Sequence, residues 1–228
     1  DRSSAASDVY KRQVRDRRFK YIRNYEPFKT YYQYMNTPEK GRLMREIRRV
    51  EALSDISPGV ARFLEPVKAK EELYDTEADP HEMHNLAADP KFAAELKRMR
   101  QAHLDWVLET RDLGLVPEAE INARQANLGS AWAILSNPNA GDLISKLRDA
   151  ASLSLEGPEA AAKMIDILTD EDATVRYWAS VGLGNNAKQI PASQKDKAVV
   201  GLRVCLKDES ENVRVAAARA LCHMDLAK

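Results

Sequence analysis

Apolar residues recur along this chain in two rhythms. Over residues 14–26 they alternate: Phe19 and Tyr21 fall on one face, Lys20 and Ile22 on the other. Aromatic residues favour extended backbone, so the stretch predicts a strand. Thr37-Pro38 and Ser57-Pro58 each suit an N-cap followed by a first helical position, and Leu43, Ile47 and Val50 predict a short amphipathic helix. Leu73-Tyr74 predicts a second, brief strand that ends at Asp75. The stretch ELYDTEADPHEMHNLAADP then carries two Asp-Pro pairs. Asp side chains bond nearby backbone N–H groups and Pro cannot continue a ladder, so this is turn chemistry. Asp89 caps the next helix, with Pro90 at its first position. Phe92, Leu96, Met99, His103 and Trp106 follow at spacings of 4, 3, 4 and 3, one apolar stripe reaching to about Glu109. The polar connector thus joins a strand to a helix that packs back on the sheet, and it is polar because it crosses the surface.

From about residue 119 the rhythm is helical without interruption, and it repeats. DEDATVRYWASVGL (170–183) aligns with DESENVRVAAARAL (208–221), 38 positions apart, and DLISKLRDAASLSL (142–155) is a degenerate third copy. Val175, Ala179 and Leu183 match Val213, Ala217 and Leu221, and then Leu147, Ala151 and Leu155. A small residue in the middle of an apolar face lets a neighbouring helix approach closely. The Asp that opens each copy is placed at the cap. Further helices are predicted over 158–169 and about 193–206. Two helices per unit, stacked, make an α-solenoid, and the unit resembles a HEAT repeat.

Composition narrows the choices. Apolar residues make up 44% and charged residues 31%, enough for a core under a charged surface. Lys+Arg and Asp+Glu both number 35, which argues against nucleic-acid binding by the chain as a whole. Residues 1–50 nonetheless hold 14 basic against 6 acidic residues. The basic run Arg15, Arg17, Arg18, Lys20 and Arg23 admits three readings: a nucleic-acid contact, a face toward an acidic domain or an anionic sugar, or a solvated face. No run of 18 apolar residues exists to span a membrane. Cys205 and Cys222 lie in apolar helical contexts and read as buried thiols. HEMH (81–84) is not H-E-x-x-H and falls in a turn, so it reads as polar residues facing water and not as a metal site. His103 reads as a partly buried packing residue. Residues 1–13 have no period and resemble translated adapter sequence, so they are expected to be a disordered or foreign leader, the native sequence starting near Val14.

Residues 14–118 resemble the C-terminal subdomain of sulfatases. The motifs that carry this are VRDRRFKYIRNYEP, the L-Y-D-x-x-x-D-P-x-E-x-x-N-L signature from Leu73 to Leu86, and WVLETRDLGLVPE. They are most similar to the heparan N-sulfatase branch and its bacterial relatives. The resemblance implies a small antiparallel sheet with a packed helix, beside a larger catalytic domain. It also implies a Cys/Ser-x-Pro-x-Arg nucleophile oxidised to formylglycine and a Ca²⁺ ion. This chain has no such motif: Cys205 is followed by LKDE, Cys222 by HMDL, and SNPNA (136–140) has Ala140 where Arg is required. No catalytic residue, metal ligand or cofactor is therefore assigned here, and the isolated chain is expected to be inactive. In that branch the acid matching Asp112 lies near the substrate pocket, so Asp112 is the candidate substrate-binding residue. LGLVPE follows it in place of the branch's aromatic segment.

The expectation is an α+β antiparallel-sheet subdomain of sulfatase C-terminal type (14–118), followed by an all-α HEAT-like solenoid (119–228). The partners expected are a catalytic domain N-terminal to it, a sulfated saccharide, and a protein partner of the solenoid; nucleic acid and membrane are not expected. The family implies a periplasmic or secreted parent. An exposed apolar patch around Phe19, Tyr21, Tyr31 and Tyr32 is expected to meet the catalytic domain. The alternative is a stand-alone interaction module in which the solenoid binds a protein.

Overall fold

A three-stranded antiparallel sheet in the order β1-β2-β3 opens the fold seen in the computed structural model, which describes residues 11–32, 36–52, 56–138 and 142–224. The strands are β1 (Lys11–Arg15), β2 (Phe19–Asn24) and β3 (Glu71–Asp75). Tyr21 pairs with Val14 on one side and Leu73 on the other. These three stand on one face. The chain divides into two compact units, Asp1–Arg100 and Gln101–Lys228.

In the first unit the stretch predicted as one strand is a hairpin. Asp16 makes its turn by accepting the N–H groups of Arg18 and Phe19 at 2.8 and 2.7 Å. Residues 11–13 form the start of β1, and the rest of the expected leader lies outside the described residues. Between β2 and β3 come three helices, α1 (Asn36–Glu39), α2 (Arg42–Ala52) and α3 (Pro58–Phe63). Ser57 caps α3, as expected. The amphipathic face of α2 differs from expectation: Leu43 is 73% exposed and Met44 is buried. Ile47 and Val50, on the same side of α2 as Leu43, are half-buried, so the expected stripe holds beyond the first turn, where Leu43 projects to solvent.

After β3 the chain forms a 3-10 turn (Pro90–Phe92) capped by Asp89, then α4 (Ala93–Thr110), within which the division between the units falls. Phe92, Leu96 and Met99 cover the face made by Val14, Phe19, Tyr21 and Leu73. Phe19 and Phe92 meet edge to face, ring centroids 6.2 Å apart. This corrects the expectation of an open patch: Tyr21 is fully buried and Phe19 is covered. Further along α4, His103 and Val107 are buried while Trp106 is 38% exposed. The stripe therefore passes through Val107, four residues after His103, and not through Trp106.

The second unit is helical: α5 (Glu118–Leu128), α6 (Ala133–Ser136), α7 (Leu143–Glu156), α8 (Ala161–Asp166), α9 (Ala173–Asn185), α10 (Ala192–Cys205) and α11 (Glu211–His223). Short 3-10 turns flank α8, so residues 158–169 run on as one helical stretch. The nine aligned apolar and alanine positions of the three copies are all buried. They lie on α7, α9 and α11, and α9 packs between the other two. Two glycines on α9 permit this. A Cβ at Gly184 would lie 3.0 Å from Ala220 Cα on α11, and one at Gly182 would lie 3.2 Å from Ser154 Cα on α7. Asp142 holds the cap position of α7, as expected, whereas Asp170 and Asp208 each stand two residues before the caps of α9 and α11. Asp172 and Ser210 hold the cap positions, and Asp170 and Asp208 each accept the N–H of that cap residue at 2.9 Å.

Candidate functional site

The signature from Leu73 to Leu86 is accounted for residue by residue. Leu73 is core. Tyr74 donates its hydroxyl to buried Glu72, and Arg62 of α3 reaches Glu72 at 3.1 Å and the carbonyls of Glu82 and Met83 at 3.1 and 3.0 Å. Asp75 receives both Arg18 Nε (2.9 Å) and Nη2 (2.6 Å), and also the N–H groups of Glu77 and Ala78. The Arg18 bonds hold the Asp75 carboxyl below its usual range. Asp79 accepts the His84 N–H at 2.7 Å. Glu82, at a left-handed φ of 55°, takes the Lys20 ammonium at 2.6 Å.

Asn85 acts as one more strand residue. Its side chain accepts the Leu73 N–H at 2.9 Å and donates to the Glu71 carbonyl at 3.1 Å, while the Leu86 N–H reaches the Leu73 carbonyl at 2.8 Å. The connector is thereby pinned along the free edge of β3, satisfying backbone groups that an edge strand leaves open. Leu86 then enters the core. The paired members of the motif build a scaffold.

The basic run is largely neutralised within the fold. Arg18 and Lys20 are paired as described, and Arg23 reaches Glu71 at 3.3 Å. Glu71 also takes Arg100 through both oxygens at 2.6 Å and the Tyr21 hydroxyl at 2.5 Å. Burial raises the Glu71 pKa, but Arg100, Tyr21 and Arg23 outweigh it, and the carboxyl titrates below its ordinary value. Among the described residues, no group of three or more His, Cys, Asp or Glu comes together to hold a metal ion. HEMH lies in the connector's turns, with His81 and His84 exposed. Cys205 is buried, and burial pushes its thiol up. Cys222 is exposed, which corrects the expectation of two buried thiols. SNPNA is described only as far as Pro138.

Asp112 sits at the end of α4 in a defined cap. Arg111 has φ 50°, and the N–H groups of Arg111 and Asp112 return to the Leu108 and Val107 carbonyls at 3.2 and 3.1 Å. This is a Schellman ending with Arg where Gly is usual. Half-buried Asp112 then caps a 3-10 turn (Leu113–Leu115) by accepting the Gly114 N–H at 3.0 Å. The turn is anchored from outside. The indole of Trp178, fully buried in α9, donates to the Leu115 carbonyl at 2.8 Å, and Arg111 donates to the Leu135 carbonyl at 3.2 Å. Just beyond, Arg124 of α5 grips Asp172 at 2.8 and 3.2 Å, and Glu120 accepts the Ser210 hydroxyl. The backbone around Asp112 is thus clamped onto the helical repeats. Sequence reasoning missed this clamp. Its one available signal was Trp178, a tryptophan at a position where the next copy has Ala216.

The chain that carries this pinned sheet edge and capped helix is similar to known sulfatases. No family model matches it. Over 178 residues (78% of its length) it is 32% identical to the ulvan-active sulfatase of Formosa agariphila, of which the match covers 29%. Over 45 residues (20% of its length) it is 49% identical to human N-sulphoglucosamine sulphohydrolase, of which the match covers 9%. The chain thus spans less than a third of the first relative and less than a tenth of the second. A match of 178 residues cannot fit within residues 1–118, so the first likeness reaches into the helical half.

Proposed function

We propose that this chain is the C-terminal part of a sulfatase that removes sulfate from a sulfated saccharide, with HEAT-like repeats as its tail. The observation that carries the reading is the likeness to the ulvan-active sulfatase, which is too long to be confined to the sheet part. In this reading a catalytic domain preceding Val14 supplies the formylglycine nucleophile and the Ca²⁺ site, and the parent is periplasmic or secreted. The described chain supplies the sheet scaffold and Asp112. A carboxylate there can accept hydrogen bonds from sugar hydroxyls, which are strong when the acceptor is charged. The Schellman ending and the Trp178 anchor fix its backbone, as a specificity contact requires.

The test is the coding sequence upstream of Val14, followed by expression of the parent and measurement of sulfate release from sulfated polysaccharides. An in-frame Cys/Ser-x-Pro-x-Arg motif with sulfate release is the expected result. A start codon and ribosome-binding site at that point would overturn the reading in favour of a stand-alone interaction module.

A further inference from the structure

The second unit carries a groove that the sulfatase reading does not use. It lies between α10 and the helical stretch that includes α8. Two concavities of about 650 and 530 Å³ share Leu168, Thr169, Val200 and Val204. Val200 and Val204 are one turn apart on α10, so they lie on the same side of it. They are 64% and 66% exposed. Between them the α10 backbone lies against Leu168: a Cβ at Gly201 would sit 2.6 Å from Leu168 Cδ1. Leu168 is itself buried, so the aliphatic surface open to solvent is that of Val200 and Val204, seated on it. Single exposed apolar residues are ordinary, whereas a contiguous apolar patch with a charged rim marks an interaction surface.

The rim has a sign. Lys197, Arg203 and Lys207 line it and make no ion pair among the described residues. Arg176 is committed to Asp208 at 2.7 Å, and Asp170 lies 3.8 Å from the Lys146 ammonium. Asp196 is the one lining acid without an ion pair among the described residues. Three cations thus face one anion around that aliphatic surface.

We propose that this groove is a docking site for an acidic amphipathic helix of a partner protein. From Asp196 to Cys205, the end of α10, the helix rise gives a groove of about 14 Å, room for about two and a half turns of a docked helix. Two helices side by side leave a trough into which the ridges of a third can settle. The partner's apolar stripe covers Val200 and Val204, and its flanking Asp and Glu meet Lys197, Arg203 and Lys207.

The test uses the full chain and a fluorescein-labelled helical peptide with Leu at i, i+4 and i+7 and Glu elsewhere, followed by fluorescence anisotropy. Saturable binding of order 10 μM is expected. A matched peptide with Lys in place of Glu should bind at least about tenfold more weakly, and about 0.5 M salt should weaken the Glu peptide. Val204→Asp should cost about tenfold or more in affinity while leaving the melting temperature unchanged, because the side chain is exposed. Arg203→Glu with Lys207→Glu should reverse the preference between the peptides. Absence of saturable binding, equal binding of both peptides, or a Val204→Asp chain that binds normally would each overturn the proposal. So would concentration-dependent dimerisation in sedimentation that Val204→Asp abolishes, since it would assign the groove to a second copy of this chain.

Discussion

Asp112 caps the turn after α4 through the Gly114 N–H, and that bond separates two ways of losing it. Asp112→Ala removes the cap, which costs about 0.5–2 kcal/mol of stability. Asp112→Ser keeps an oxygen that caps well and loses only the carboxylate. In the full-length sulfatase proposed as the parent, Asp112→Ser is expected to melt near the wild-type temperature. Its kcat/KM on the saccharide should fall by about 10- to 150-fold, the loss of one charged hydrogen bond at about 1.5–3 kcal/mol. A small aryl sulfate offers no sugar hydroxyl and should be turned over as before. Equal losses on both substrates would show that Asp112 acts through folding, and no loss on either would remove it from the site. At the other end of the clamp, Trp178→Phe leaves the buried Leu115 carbonyl without its donor. Denaturant unfolding of the full chain should show a loss of about 1–3 kcal/mol from that group alone.

Among the elements, α9 and α11 set the tightest tolerances. Val213 is fully buried on α11. Val213→Asp puts an unpaired charge into that packing and should cost about 3–5 kcal/mol in a thermal or denaturant melt. An unchanged midpoint would mean that the repeat register is wrong. Gly184→Ala places a Cβ 3.0 Å from the Ala220 backbone, so the same melts should show about 1–3 kcal/mol of overpacking strain. These helices were legible because each copy presents the same apolar face, with alanine at its centre, and burial follows that face position by position. Other elements were hidden for physical reasons. KRQVR has one apolar residue, and β1 owes its place to backbone pairing with β2, which leaves little trace in side-chain pattern. Met44 on α2 and Val107 on α4 are each buried one position after a residue the periodicity picked, Leu43 and Trp106. Trp106 was chosen on size, yet a large amphipathic ring tolerates partial exposure. The connector was legible as a turn, but its role along the β3 edge rests on the Asn85 amide, which mimics backbone, and no hydrophobic pattern reports that.

For the whole molecule, balanced charge makes local pairs matter more than net repulsion. Several carboxylates are held below their ordinary pKa. Burial raises Asp172 and Asp208, but Arg124 and Arg176 outweigh it and the net direction is down; Glu71 behaves likewise under Arg100. A carboxyl depressed in the folded state binds its proton more readily when unfolded. Its stabilisation is therefore present above the unfolded value of about 4 and is lost as pH falls through the depressed value. The melting temperature should be flat from neutral pH to about pH 5 and should drop steadily below about pH 4. Arg124→Met should lower the neutral-pH midpoint and flatten that acid slope. An unchanged slope would mean that the Asp172 pair contributes nothing to the acid response.

The arginine bonds of the repeats bear on heredity. Arg176 donates to the Asp170 and Glu171 carbonyls, at 2.8 and 3.0 Å, and Arg214 does the same to Asp208 and Glu209 at the same two distances. The second and third copies each close their own turn, and Arg176 also reaches forward to the Asp208 of the next copy. A tandem duplication of 38 codons would reproduce every one of these bonds, inside the new copy and at both of its borders. Gain or loss of whole copies is therefore open to such a gene in a single recombination event. A one-codon slip within α9, by contrast, rotates every later side chain on that helix by about 100° and turns its buried face away from its neighbours.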